Sequence, residues 1–249
     1  MGEIESTEFL GDFSVNMLEI PYKIWVIDDI FRPEVVDKIN DSWSMIDESN
    51  WHRGYSEING KKNPLESGMK AISKTELMPE YLKLIVEYFH SEKFTEFISE
   101  VTGIKDLIPD RSMRWSGLRT MEEGSYQLIH SDARKHPQNY LTKELTCLFY
   151  LNDGYVKENH EGCLEIWDDQ MSKRMHEIEP INNRMVVFVN SETSYHGVPT
   201  VLKERKAITF SVMSGNLSSE RNKALFVARP EDPDSIRIVG EERSKIKDK

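Results

Sequence analysis

The chain has 249 residues, of which 38% are hydrophobic and 30% charged, with five Trp, and this describes a folded globular protein rather than a disordered or fibrous one. A formal net charge of −11 argues against nucleic acid as a partner, because binding a polyphosphate relies on Lys and Arg displacing counterions along a basic face. No run approaches the roughly 18 apolar residues that cross a bilayer, and the first residues lack the basic and apolar regions of a signal peptide. A soluble, cytoplasmic protein with no membrane partner is therefore expected. The two cysteines, Cys147 and Cys163, lie inside apolar runs and read as small core residues rather than a disulfide framework or a zinc site.

In chain order, "KIWVIDDIF" (23–31) reads as a buried strand. Pro33 then opens a helix whose Val35, Val36, Ile39 and Trp43 recur at helical spacing. Residues 49–75 are rich in Gly, Asn and Pro with little periodicity, which predicts either an irregular loop of the kind used as a lid or a disordered insertion. A helix follows over 79–90, and Ser91 caps another whose Phe94, Phe97, Ile98 and Val101 form one stripe before Gly103 ends it.

After residue 110 the texture changes to short strands divided by turn residues, at 114–120, 125–130, 145–152, 163–168, 175–179, 184–190 and 205–213. That spacing indicates a sandwich or jelly roll rather than alternating βαβ units. The expected fold class is thus α+β, mainly β, with N-terminal helices as a supporting layer. One domain is expected over 1–217, with 22–110 as helical support and lid and 111–217 as the jelly-roll core. Residues 218–249, dense in charge and broken by Pro230 and Pro233, read as a peripheral tail with one apolar piece, "ALFVA".

Chemistry concentrates in "GSYQLIHSD" (124–132). Alternation points Tyr126, Leu128 and His130 to one side, and Asp132 joins them if the extended backbone continues. A His-x-Asp triplet is short, and a His at a strand end is as often a core or capping residue. "SETSYHGVP" (191–199) adds His196 between a core strand and a turn. Two His and one carboxylate make a facial triad that leaves three positions of an octahedral iron open. In "RKAITFSVM", Arg205, Ala207, Thr209 and Ser211 share a face. A guanidinium inside a sandwich is costly unless it meets an anion, and its fork suits a carboxylate; the alternative is an Arg at a strand end reaching out to water. Tyr150 of "LTCLFYLN" can add a phenol to the same anion.

These segments, together with "TGIKDLIPD", "GCLEIWDDQM", "INNRMVVF" and "RKAIT", resemble the Fe(II)- and 2-oxoglutarate-dependent oxygenases, in particular their prolyl-4-hydroxylase-like branch with bacterial members. The resemblance implies a double-stranded β-helix in which His130, Asp132 and His196 bind Fe(II). It implies that Arg205 pairs with the C5 carboxylate of 2-oxoglutarate, supported by Tyr150 and Thr209. O2 is then the co-reactant, succinate and CO2 are coproducts, and activity falls as the imidazoles protonate.

There are departures. Gly162-Cys163 stands where the family often has Gly-Gly, and Thr120 lies near the place where many prolyl hydroxylases carry a Tyr beside the cosubstrate. Asp132 argues against a halogenase. A hydroxylase of a small molecule or saccharide is the first substrate expectation, a protein or peptidyl-prolyl hydroxylase the second, and a non-catalytic jelly-roll binder the third. His136 with Arg134 and Lys135 reads either as an acidic-substrate contact over the pocket or as a solvated basic patch. His52, His90, His160 and His176 read as surface or capping residues, and Trp115 and Trp167 as pocket wall or core.

Overall fold

The structure is a computed structural model and describes residues 9–53, 57–58, 61–62, 65–218 and 221–232. In chain order its elements are β1 (Ser14–Leu18), β2 (Ile24–Asp28), α1 (Pro33–Ser44), β3 (Glu57–Ile58), β4 (Lys61–Lys62), β5 (Glu66–Ile72), α2 (Glu80–Phe89), α3 (Glu92–Thr102) and β6 (Leu107–Pro109). There follow β7 (Gly117–Ser131), β8 (Leu141–Tyr150), α4 (Lys157–His160), β9 (Leu164–Trp167), β10 (Arg174–Ile178), β11 (Met185–Val189), β12 (His196–Val198), β13 (Arg205–Leu217) and β14 (Leu225–Phe226).

The helices form for the reasons the sequence offers. Pro33 occupies the first turn of α1, the Ser91 hydroxyl accepts from the Phe94 N–H at 3.1 Å to cap α3, and Gly103 ends α3 at φ 71°. Among the described residues, the twelve strands outside the β3–β4 ladder join one antiparallel sheet ordered β1-β2-β11-β8-β13-β7-β12-β9-β10, with β5 and β14 also pairing β7 and β6 pairing β13. It curls into a half-barrel, the double-stranded β-helix that the strand spacing points to.

Period-two alternation gives this sheet two apolar faces. Leu145, Cys147 and Phe149 of β8, Met185 and Val187 of β11, and Ile208, Phe210 and Val212 of β13 pack with the helices. Val186, Phe188, Tyr150, Leu164 and Ile166 line the inside of the curl. Phe210 stacks on Phe89 of α2 with centroids 4.6 Å apart. Burying such rings is worth about 1.5–3 kcal/mol each, so the helical layer pins β13 and with it the residues on its inner face. Cys147 and Cys163 are buried free thiols, as expected.

Two expectations change. The break between the expected strands 114–120 and 125–130 is instead a bend within β7, where Gly124 takes φ 81° and donates its N–H to Val201 O at 2.8 Å. On one side of the bend β7 pairs β13, and on the other it pairs β12 and β14. A turn signal inside a strand that bends at a barrel corner cannot be told from a hairpin by composition. The irregular loop expected over 49–75 includes β5, which pairs β7 from Gln127 to Leu118, together with the small β3–β4 ladder.

Candidate metal centre and cosubstrate pocket

His130 and His196 are direct cross-strand partners in the β7–β12 pairing, which puts both rings on one face with centroids 4.3 Å apart. Between His130 and Gln127, β7 carries one more residue than the facing stretch of β12. This bulge breaks the expected alternation: Gln127 faces the pocket with His130, while Leu128 packs with Leu65 and Phe226. Asp132 lies just past the end of β7, its Oδ1 3.6 Å from His130 Nε2. One ligand atom from each of the three residues can be chosen so that all lie within 4.8 Å of one another.

The orientation of each imidazole is fixed from behind. His130 Nδ1 lies 2.9 Å from Leu128 O and His196 Nδ1 lies 2.9 Å from Ser194 O. A carbonyl only accepts, so Nδ1 carries the proton in both rings and Nε2 presents its lone pair to the shared centre. Phe226 stacks on His130 at 5.1 Å and Phe188 packs on His196 at 4.6 Å, which restrains the ring planes.

Asp132 is held by residues the sequence reading passed over. Lys143 Nζ donates to its Oδ2 at 2.7 Å, and the Thr146 hydroxyl is shared between that oxygen at 2.8 Å and Asn190 Oδ1 at 3.0 Å. Oδ2 is therefore engaged and Oδ1 is the oxygen on the imidazole side. Burial pushes the Asp132 carboxyl up, but Lys143 and the two imidazoles override it and hold the group well below the usual carboxylate range. Burial lowers His196 to about 3, with His130 adding to the effect. At His130 burial also lowers, yet hydrogen bonding and charge from Asp132 win and the imidazole is raised. An ionised carboxylate beside two imidazole Nε2 atoms is a donor set suited to a divalent iron.

Arg205, at the start of β13, points into the curl and is nearly buried, with 9% of its surface exposed. Its Nε donates to Gly162 O at 2.9 Å, its Nη2 donates to Tyr150 Oη at 3.1 Å, and the guanidinium sits 4.8 Å over the Tyr150 ring. Among the described residues no carboxylate reaches it. A buried cation with only neutral partners fits a missing acid group. Gly162 makes the close approach possible: it takes φ 80°, and a Cβ there would stand 2.6 Å from Val201 Cγ1 and 3.3 Å from Arg205 Cδ. Thr209 lines the same cavity, its hydroxyl 3.4 Å from Trp115 O. The cavity holds about 550 Å³ and reaches from Arg205 past the triad to Trp115 and the 222–226 segment.

The remaining candidates sort themselves. His136 is fully buried, with Nδ1 accepting from the Gln138 and Asn139 N–H groups at 3.2 and 3.3 Å and Nε2 2.8 Å from Ser112 Oγ, so it is neither a pocket nor a surface residue. Arg134 pairs with Glu144, and the Lys135 ammonium lies over Tyr140. Trp115 lines the cavity, whereas Trp167 is core. Thr120 faces away from the cavity and donates to Glu204 at 2.8 Å; Met121, its neighbour, is the pocket-facing residue. His90 and His160 end helices and bond their own backbone carbonyls, as a capping role requires.

The 2OG-Fe(II) oxygenase superfamily model matches residues 116–212, which span β7 to most of β13 and contain the triad and Arg205. This stretch is a 2OG-Fe(II) oxygenase domain. The match implies Fe(II) and 2-oxoglutarate, which agrees with the donor set and with a guanidinium that no described carboxylate neutralises.

Solved structures share the fold. A Pseudomonas putida prolyl-4-hydroxylase is 14% identical with a TM-score of 0.57, over 78% of this chain and 93% of that one. A prolyl hydroxylase from Trichoplax adhaerens, in complex with a hypoxia inducible factor peptide fragment, is 15% identical with a TM-score of 0.56, over 77% and 83%. The carbocyclase SnoK from nogalamycin biosynthesis is 14% identical with a TM-score of 0.51, over 86% and 85%. No curated protein matches this chain by sequence. Among the described residues no helix is long and apolar enough to cross a membrane.

Of the segment read as a peripheral tail, residues 221–232 are part of the site, and those after 232 lie outside the described residues. β14 pairs with β7 at Ser131 and His130, and the Arg221 guanidinium donates to Ser131 O at 3.0 Å and engages Glu192. Arg229 donates to Glu165 Oε2 through Nε at 2.9 Å and Nη2 at 2.6 Å, with both side chains buried. The strap is anchored on both sides of Phe226, and only the "ALFVA" run hinted at it.

Proposed function

We propose that His130, Asp132 and His196 hold Fe(II), that Arg205 with Tyr150 and Thr209 takes the C5 carboxylate of 2-oxoglutarate, and that the enzyme hydroxylates a C–H bond of a prolyl polypeptide. The single observation carrying the reaction class is the pairing, in one cavity, of a His-Asp-His cluster with a buried guanidinium that no described carboxylate neutralises. Bound iron and 2-oxoglutarate supply the oxidation, in which one atom of O2 enters the substrate as hydroxyl and the keto acid leaves as succinate and CO2.

The chain's own residues bind, orient and exclude water. Leu128 O and Ser194 O hold the imidazoles in the tautomer that ligates, and Lys143 and Thr146 hold the carboxylate ionised and turned. Leu148, Leu164, Val198 and Phe226 give the cavity apolar walls.

For the substrate, the polypeptide reading moves ahead of the small molecule or saccharide expected from the sequence. The cavity is lined by exposed Arg114 and Lys223 and by the aromatic Trp115 and Phe226, which suits a groove admitting an extended chain. Two of the structures sharing this fold are prolyl hydroxylases, one with a peptide bound, which supports the same choice. SnoK keeps a small molecule as the second reading. The intact cluster weighs against a non-catalytic binder.

Two measurements test the proposal. Anaerobic addition of Fe(II) and 2-oxoglutarate gives a visible charge-transfer band, which His130→Ala abolishes by losing metal and Arg205→Ala weakens by losing the keto acid. Succinate release is then followed with proline-containing peptides and, in parallel, a small-molecule collection. Band formation unchanged in both variants overturns the site, and turnover confined to small molecules overturns the polypeptide substrate.

A further inference from the structure

We infer that Arg221 is a positioning residue for the metal: reaching from the strap, it ties the His130–Asp132 segment to the loop that orients His196, so that seating the strap and filling the metal site are coupled. The inference rests on the metal reading above and adds how the cavity wall and the metal are linked.

The tie begins at Ser131, the residue between two ligands. Next to His130 in β7, it turns its side chain to the opposite face of the strand and is fully buried. Its hydroxyl donates to Glu192 O at 3.0 Å, and its carbonyl accepts from Arg221 Nη1 at 3.0 Å. Arg221 Nη2 donates to the same hydroxyl, and Nε donates to the Glu192 carboxylate at 3.0 Å. One guanidinium thereby grips both the His130–Asp132 segment and the loop facing it. A further bond from Nη1 to Lys223 O at 2.7 Å folds the strap onto its own side chain. The Arg221 carbonyl also accepts from the N–H groups of Arg134 and Lys135, at 3.2 and 3.1 Å, just beyond Asp132.

The Glu192 loop matters because its end aims His196. Ser194 O accepts from His196 Nδ1 at 2.9 Å, and Ser194 Oγ accepts from the Ser191 N–H at 2.9 Å while donating to Ser191 O at 3.1 Å. Glu192 lies between those serines, so holding its carbonyl and its carboxylate holds the turn that orients the imidazole. A guanidinium suits the task, because its N–H donors lie in one rigid plane and reach several acceptors at once; lysine has the charge without the fork. The strap that carries Arg221 also supplies Asn222, Lys223, Ala224 and Phe226 to the cavity wall, and Phe226 stacks on His130. If a seated strap favours the ligating arrangement, the metal favours the seated strap by the same factor.

The test uses the whole chain and Co(II) alone. Arg221→Met is expected to bind Co(II) about tenfold more weakly, the low end for a residue that supports ligands from behind, with altered d–d bands and partial recovery in Arg221→Lys. Arg229→Met loosens the same strap at its other anchor, Glu165, and is expected to keep Co(II) affinity within about twofold, the tolerance of independent sites. Saturating Co(II) is expected to slow hydrogen exchange of the Val227 amide, which donates to Ile129 O at 2.8 Å, about tenfold in the wild type and in Arg229→Met but hardly at all in Arg221→Met.

Unchanged Co(II) affinity in Arg221→Met overturns the inference. Equal losses in Arg221→Met and Arg229→Met overturn it too, since the strap would then be a cover with no separate link to the ligands. Should Arg221→Met not fold, Ser131→Ala removes the hydroxyl that joins Arg221 to Glu192 O; a several-fold loss of Co(II) affinity is expected there, and wild-type affinity with wild-type slowing overturns the inference equally. Co(II) binding that survives His130→Ala sinks the metal reading itself, whereas the other outcomes sink this inference alone.

Discussion

Replacing Arg205 with Met separates what the guanidinium does for folding from what it does for the keto acid. Methionine is unbranched and fills much of the same space. The variant loses the hydrogen bonds to Gly162 O and Tyr150 Oη, at 2.9 and 3.1 Å, each worth about 1 kcal/mol net, and the stacking over Tyr150. It gains relief from burying a charge that no described carboxylate neutralises, a penalty of several kcal/mol. The two nearly cancel, so the metal-free protein should change by no more than about 2 kcal/mol in either direction.

Cosubstrate binding has no such compensation. Truncating one partner of a buried charge pair costs about 2–5 kcal/mol, which is roughly 30-fold to several thousand-fold in affinity. Thermal unfolding reads both quantities. With Fe(II) present, 2-oxoglutarate at about 100 times its dissociation constant stabilises the wild type by about 2.7 kcal/mol, or roughly 5–10 °C in Tm for a chain of this size. The variant should keep the metal-induced shift and show at most about a third of that from the keto acid, which is what a roughly 30-fold loss of affinity leaves at this concentration. Retention of most of the 2-oxoglutarate shift, or a loss of more than about 3 kcal/mol without ligand, would refute the reasoning, because Arg205 would then be a structural residue.

The remaining predictions concern the metal and the strap. Lys143→Met leaves Asp132 Oδ2 with only the Thr146 hydroxyl, so burial pushes the carboxyl up and Co(II) affinity should fall about 10–100-fold, partly restored in Lys143→Arg. Tighter Co(II) binding in Lys143→Met would mean that the ammonium chiefly repels the ion. Because His130 is raised while Asp132 is held low and His196 is lowered to about 3, the proton that competes with metal sits on His130. Metal affinity should weaken as pH falls from about 8 to about 6 by one proton per ion bound, and a flat profile down to about pH 5 would contradict this. Arg229→Met breaks the buried pair with Glu165 but leaves Arg174 on the other carboxylate oxygen at 2.9 Å, so urea unfolding should show a loss near the low end of the 3–5 kcal/mol range, about 3 kcal/mol. A loss below about 1 kcal/mol would show that the strap is not part of the cooperative fold.

What the sequence made legible follows the range over which its signals act. The helices were readable because caps and apolar stripes are local: Pro33, Ser91 and Gly103 each mark an end within a turn of the residues they serve. His130, Asp132 and His196 were readable because the first two sit two apart and the third carries a strand-end signature, while Arg205 betrayed itself as a charge on a face whose neighbours are small. The functional residues missed lack any local signal. Lys143 reads as an ordinary charged residue at the start of a strand and becomes notable only when β8 carries it against Asp132. The bulge that turns Gln127 toward the pocket is set by pairing with β12 and does not appear in the composition of 126–130.

The same distinction accounts for the cavity walls. Residues 65–72 and 221–232 carry Gly, Pro and charge in the proportions of loops, and each becomes ordered by adding main-chain hydrogen bonds to β7 and by fixing a few side chains against it. Neither could bury enough apolar surface to fold alone, so their structure is borrowed from the strand that holds the histidines. β7 therefore carries two obligations at once: its inner face presents His130 and Met121 to the cavity, and its backbone recruits the two segments that enclose it. A strand edge left open beside a reactive metal would admit water to the site. Pairing it on the far side with Glu66–Ile72 and with Leu225–Phe226 satisfies the backbone and narrows the entrance, which leaves Arg114, Lys223 and Trp115 as the surface an incoming substrate meets first.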